Sequence, residues 1–178
     1  MLVKNKKKVL IVIDVQNDFV TGSLGTPEAR AIVPKVVEKV EEYRSRDDAI
    51  IFTADTHYDN YLETPEGKKL PVPHCIDGTS GHDIIPELNA KLSVMEKIYF
   101  KETFGYKWNT CPWMCCYDVE IIGVCTDICV VTNTLVLKTY YPGIEITVDA
   151  SCCAGTTSEK HKAALETMKS CQINVIGE

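Results

Sequence analysis

Two rhythms of apolar residues run along the chain. Short continuous runs, most of them rich in β-branched residues, occupy positions 9–13, 49–53, 93–100, 119–122, 144–148 and 173–176. Runs of this kind belong to strands buried on both faces, as parallel strands are. Between them, apolar residues recur at helical spacing. In 29–46 they are Ile32, Val33, Val36, Val37 and Val40, with Pro34 acceptable only in an opening turn. Segment 127–141 reads as a largely apolar helix stopped by Pro142-Gly143. Segment 158–170 reads as a helix opened by a capping box at Thr156 and Glu159. A short helix is predicted over 84–92 and an irregular one within 102–117. Strands alternating with helices predict an α/β fold: a doubly wound, mostly parallel six-stranded sheet with helices on both faces.

That architecture organises the polar residues. A parallel sheet delivers the carboxyl ends of its strands to one edge, where open α/β sheets bind ligands. Asp14, Asp55, Lys101 and the segment from Cys125 to Cys129 all stand at predicted strand ends. Within I-I-G-V-C-T-D-I-C-V-V, a strand breaks at Gly123 and restarts as a helix with Cys129 in its first turn and Asp127 as a plausible N-cap. Helix N-termini favour a thiolate. Taken alone, this stretch reads more readily as core, because reduced cysteines are commonly buried. The convergence of an acid, an amine and a thiol on one edge reverses that preference. For Asp14 and Lys101 the alternative is an ordinary ion pair. Asp149 also ends a strand and reads as a turn residue.

A second constellation leaves the second strand. Asp55-x-His57 puts two ligands side by side, and His74 returns from a long polar loop, 58–83. A carboxylate with two imidazoles suits Zn²⁺, with Fe²⁺ or Mn²⁺ as alternatives. Glu66 is a weaker fourth ligand and Glu63 weaker still. The alternative is that all of these are solvated loop residues. His82 and His161 read as structural or exposed, with His161 away from the edge.

Composition narrows the function classes. The 178 residues suffice for one domain with a sizeable core. Nineteen basic and 25 acidic residues give a net charge of −6, which argues against nucleic-acid or anionic-membrane partners and leaves small molecules open. Nine cysteines without a CxxC motif fit thiols in a reducing cytosol. Lys4, Lys6, Lys7 and Lys8 precede an apolar run too short for a secretory signal, and no segment reaches transmembrane length. A cytoplasmic protein is expected.

Five motifs in order carry a resemblance: D-V-Q-N-D-F at 14–19, D-T-H at 55–57, P-H-C-I-D-G-T-S-G at 73–81, a strand ending in Lys101, and G-V-C-T-D-I-C-V at 123–130. Together they resemble the isochorismatase-like cysteine hydrolases, nearest the nicotinamidase/pyrazinamidase branch, as one domain over 1–178. The resemblance implies Cys129 as nucleophile, Asp14 as general base and acid, and Lys101 as third member of a triad. It implies a cis peptide between Val124 and Cys125, an oxyanion hole from the backbone N–H groups of Cys125 and Cys129, and Asp55, His57 and His74 as metal ligands. It implies a thioester route from a nicotinamide-like amide to acid and ammonia, and a homo-oligomer. Nicotinamidases carry a ring-sandwiching Trp three residues before the position of His74; here that residue is Pro71. Phe19 is left as one ring-stacking residue, with Phe104, Tyr106 or Trp108 for the other. An N-carbamoyl amide hydrolase and a catalytically silent metal- or thiol-binding scaffold are the alternative readings.

Overall fold

The computed structural model describes residues 7–88 and 95–178. Residues 89–94, into which the predicted helix 84–92 and the strand starting at 93 extend, lie outside the described residues.

Among the described residues, six strands form one sheet: β1 Lys7–Ile13, β2 Ala49–Asp55, β3 Glu96–Lys101, β4 Tyr117–Val124, β5 Ile146–Ala154 and β6 Asn174–Ile176. Their spatial order is β3-β2-β1-β4-β5-β6, and every pairing is parallel. This is the doubly wound order, with its switch point between β1 and β4. Successive β1 residues serve opposite layers. Val9, Ile11 and Ile13 enter the core that includes Leu137, Leu165 and Met168. Leu10 and Val12 enter the core with Val36, Val40 and Tyr43.

The helices are α1 Asn17–Val20, α2 Pro27–Ser45, α3 Val131–Tyr140 and α4 Ser158–Ser170. The brief α1 was not predicted. Helix α2 starts at Thr26, whose side chain accepts from the Ala29 N–H at 3.0 Å. Pro34 lies inside α2 instead of in its opening turn. It is exposed, on the side where water can take up a carbonyl released by the missing N–H. The irregular helix expected within 102–117 resolves into two 3₁₀ turns, Trp108–Thr110 and Pro112–Cys116. Around 84–92, the described part is the 3₁₀ turn Pro86–Leu88. No described helix is long and apolar enough to cross a membrane.

Gly123 makes the switch point possible. It pairs with Ile13 and takes φ 123°. A Cβ there would collide with the Ile13 carbonyl, so only glycine lets β4 run this close to β1.

Candidate active site

Strand register brings the polar residues together. Asp55 and Lys101 are register partners on β2 and β3, and their side chains pair at 2.9 Å. Lys101 Nζ also lies 2.7 Å from Asp14 Oδ2 and 3.5 Å from Cys129 Sγ. Asp14 turns out of β1 at φ 49°, a left-handed conformation that Asp tolerates better than most residues. Its N–H points to the Thr53 carbonyl and hydroxyl, both at 3.2 Å, and the Thr53 hydroxyl donates to Asp14 Oδ1 at 2.6 Å. Thr53 was not singled out from sequence; only its place at the end of a buried strand pointed to it.

The peptide between Val124 and Cys125 is cis, as the resemblance implies. Cys129 sits in a π-helical turn, Thr126–Val130, that leads into α3. Turns of this type are frequent at functional sites. The expectation that Asp127 caps this turn is corrected: Cys125 occupies the cap position, and its side chain makes no capping bond among the described residues. Asp127 instead reaches across to the loop after β5. It accepts from the Thr156 N–H at 2.7 Å and the Thr156 hydroxyl at 2.6 Å. Thr156 is thereby drawn away from capping, and Thr157 caps α4 by accepting from the Lys160 N–H at 3.2 Å. His161 is not remote from the edge either. α4 begins beside the end of β5, so His161 Nδ1 reaches Thr126 Oγ1 at 2.8 Å.

Electrostatics define the resting state. Burial pulls Lys101 down, but Asp14, Cys129 and Asp55 together hold it well above its ordinary pKa, so it keeps its proton. Burial pushes the Asp14 carboxyl up, against the opposing pull of Lys101. Burial, the Asp14 charge and a hydrogen bond to Asp14 hold the Cys129 thiol well above its usual value, although Lys101 opposes them. The sulfur therefore rests as a thiol, hydrogen-bonded to the Asp14 carboxyl. Burial also pushes the Cys125 thiol up to about 12.

Asp55, His57 and His74, all buried, offer ligand atoms within 4.8 Å of one another. His57 Nε2 lies 3.0 Å and His74 Nε2 3.6 Å from Asp55 Oδ2. His74 Nδ1 donates to the Val72 carbonyl at 2.8 Å, which turns Nε2 toward the cluster. Glu66 Oε1 stands 3.9 Å from both Nε2 atoms, while Glu63 is exposed on its turn. Burial raises the Asp55 carboxyl, but hydrogen bonds to His57 and His74 and the Lys101 charge outweigh it and keep Asp55 ionised. Buried and convergent, one carboxylate and two imidazoles fit a divalent cation.

Several supporting residues went unread in the sequence. Tyr61 packs on both imidazoles, 4.7 Å from His57 and 5.1 Å from His74 between ring centroids. Gln16 donates to the carbonyls of Asp55 and His82 and accepts from the Asp55 N–H. Asp18 Oδ2 accepts from the Cys75 N–H at 2.8 Å and so pins the residue beside His74. Phe19 lies 5.5 Å from the His74 ring. Of the other ring-stacking candidates, Trp108 is withdrawn: it is wholly buried, with its indole bonded to Asn133. Tyr106 stacks on Tyr99, and Phe104 remains partly exposed. His82 is structural as expected, bonded to Thr56 at 2.9 Å and stacked on Phe100.

Comparison with known proteins gives the family and the fold. The family model described as the isochorismatase domain matches residues 8–177. The nicotinamidase/pyrazinamidase of Mycobacterium tuberculosis is 27% identical, covering 95% of this chain and 98% of that protein. The crystal structure of the nicotinamidase/pyrazinamidase PncA from Bacillus subtilis superposes with a TM-score of 0.85 at 26% identity, over 95% of this chain and 98% of that one. The pyrazinamidase of Pyrococcus horikoshii, solved in complex with zinc, gives 0.80 at 26% identity, over 97% and 99%.

Proposed function

The chain belongs to the isochorismatase family, on its nicotinamidase branch, and is an amidohydrolase acting on carbon–nitrogen bonds; from that premise we propose that Cys129 is its nucleophile and a nicotinamide-like primary amide its substrate. The observation that carries this reading is Lys101, whose ammonium lies 2.7 Å from Asp14 and 3.5 Å from Cys129 in a buried site.

Asp14 takes the Cys129 proton, and the sulfur attacks the amide carbon. Lys101 stays protonated and offsets the negative charge carried from carboxylate to sulfur. Backbone N–H groups of Cys125 and Cys129 receive the developing oxyanion, an interaction worth about 3–4 kcal/mol per donor. Asp14 returns its proton to the leaving nitrogen, and ammonia departs. Water, deprotonated by Asp14, then cleaves the thioester to the acid and restores the thiol.

Asp55, His57 and His74 would hold a divalent cation, with Glu66 as the nearest further carboxylate. When bound, the cation supplies a Lewis-acid anchor for the substrate's ring nitrogen. Zinc is favoured over iron or manganese by the donor set and by the zinc complex of the Pyrococcus horikoshii pyrazinamidase. Phe19, tilted against the His74 ring at 5.5 Å, forms one wall for the ring.

Ammonia release from nicotinamide and pyrazinamide, measured on zinc-loaded protein, tests the reading. Cys129→Ala should be inactive with unchanged circular dichroism. Turnover by that variant would remove Cys129 as nucleophile.

A further inference from the structure

Asn133 is a fully buried polar residue that the mechanism above does not use. It lies on α3, four residues beyond Cys129. Its side chain makes four hydrogen bonds, the full capacity of an Asn amide. Nδ2 donates to the Cys129 carbonyl at 2.8 Å and the Phe104 carbonyl at 3.0 Å. Oδ1 accepts from the Tyr106 N–H and the Trp108 Nε1–H, each at 2.9 Å. One bond therefore goes to the backbone of Cys129, and three go to the segment that leaves β3 just after Lys101.

We propose that Asn133 is a positioning residue: by tying segment 104–108 to the Cys129 carbonyl, it fixes the separation between the Lys101 ammonium and the Cys129 sulfur. The proposal rests on the reading of Cys129 as nucleophile. Lys101 and Cys129 arrive on different elements, a strand end and a π-helical turn. Their 3.5 Å contact is only as constant as the distance between those two pieces of backbone. Apolar packing brings the segment close: Tyr106 stacks on Tyr99 at 4.7 Å, and Gly105 lies against Thr132. Such contacts are non-directional and tolerate sliding. Four hydrogen bonds radiating from one rigid amide do not. A Leu would suit the apolar pattern of α3 better, and a buried amide is tolerated only when fully bonded. The position is filled by a side chain that donates twice and accepts twice.

The test compares Asn133→Asp with Trp108→Phe and Cys129→Ala. Asn133→Asp keeps acceptors for Tyr106 and Trp108 but withdraws both donated bonds. Trp108→Phe removes one bond to the segment and leaves the Cys129 carbonyl bonded. Each is assayed well below its melting temperature for kcat and KM, and for the rate at which iodoacetamide labels the Cys129 peptide. We expect kcat to fall on the order of 10–100-fold in Asn133→Asp with KM little changed, since small misplacements near the reacting atoms cost rate before binding. Labelling of Cys129 should slow, because the ammonium no longer favours the thiolate, and Trp108→Phe should show the same signs more weakly. A merely structural brace would lower the melting temperature but leave kcat intact and let the sulfur label at the same rate or faster. That result, in Asn133→Asp or, should it not fold, in Trp108→Phe, overturns the proposal. An inactive Cys129→Ala beside an unimpaired Asn133→Asp sinks only the positioning role; an active Cys129→Ala sinks the reading beneath it.

Discussion

At the scale of single residues, Lys101 holds the site together. One ammonium, almost wholly buried, serves two carboxylates and a sulfur. Removing one partner of a buried ionic cluster costs more than the cluster contributes, because the remaining charges stay buried without a counterion. Lys101→Met should therefore destabilise the fold by about 3–5 kcal/mol, read from urea denaturation. Adding Asp14→Asn removes one of the two stranded carboxylates. The double variant should lose less than the sum of the single losses, the sign of coupling expected for groups in contact. Strict additivity would show that Lys101 and Asp14 do not share a charge network. Polar anchors of this kind are hard to foresee. Asp14, Lys101 and Cys129 were legible because strand ends converge whatever the side-chain details. Tyr61 and Thr53 were not, since neither carries a pattern until the fold shows what it touches.

At the scale of elements, the loop bearing His74 is placed by side chains of another segment. Asp18, from the short helix after β1, accepts from the Cys75 N–H at 2.8 Å, and its own N–H donates to the Gly81 carbonyl at 3.1 Å. A Cβ at Gly81 would strike the Asp18 carboxylate, so the two are fitted to each other. Residues that orient metal ligands typically contribute 10–100-fold to affinity. Asp18→Ala should weaken zinc binding by on the order of 10–100-fold, measured by competition with a chelator, while iodoacetamide labelling of Cys129 is unchanged. Unaltered affinity would mean that the loop holds His74 without this anchor. The sequence motif at 14–19 pointed to the region but not to this role. Strands and long helices could be read because burial on both faces, or on one stripe, writes itself into residue order. Caps could not, because their partners compete across the fold. Thr156 is spent on Asp127, so the capping role moves to Thr157. His161 likewise looked remote because helix order does not reveal that the first turn of α4 sits beside Thr126.

At the scale of the molecule, the layer opposite α3 and α4 is fastened by charge as well as by packing. Lys39 of α2 lies 2.7 Å from Glu120 on β4 and 3.0 Å from Asp149 on β5. One turn further along α2, the Tyr43 hydroxyl donates to Glu120 at 2.7 Å. Asp149 is thus no turn residue: it lies inside β5, and its second oxygen accepts from the Ser151 N–H and hydroxyl. Its partner comes from a helix about a hundred positions earlier, which no local pattern announces. Burial raises the Asp149 carboxyl, but Ser151 and Lys39 outweigh it and hold it below the usual carboxylate range. The sign of the pH dependence follows. A carboxyl depressed in the folded state adds stability above its unfolded pKa of about 3.9, and that contribution disappears as pH falls through the lower folded value. Lys39 is raised against burial by Glu120 and Asp149, so its share persists until pH climbs past about 10.4, the ordinary lysine value. Lys39→Met should therefore be less stable than the parent across the broad range between these limits. The gap should narrow as acid protonates Asp149, because the parent then loses what the variant already lacks. Urea denaturation of both proteins from neutral pH down to about pH 3 measures it, spanning the carboxylate range. A gap that stayed constant through that range would show that Lys39 braces α2 by the packing of its aliphatic stem and not by its charge.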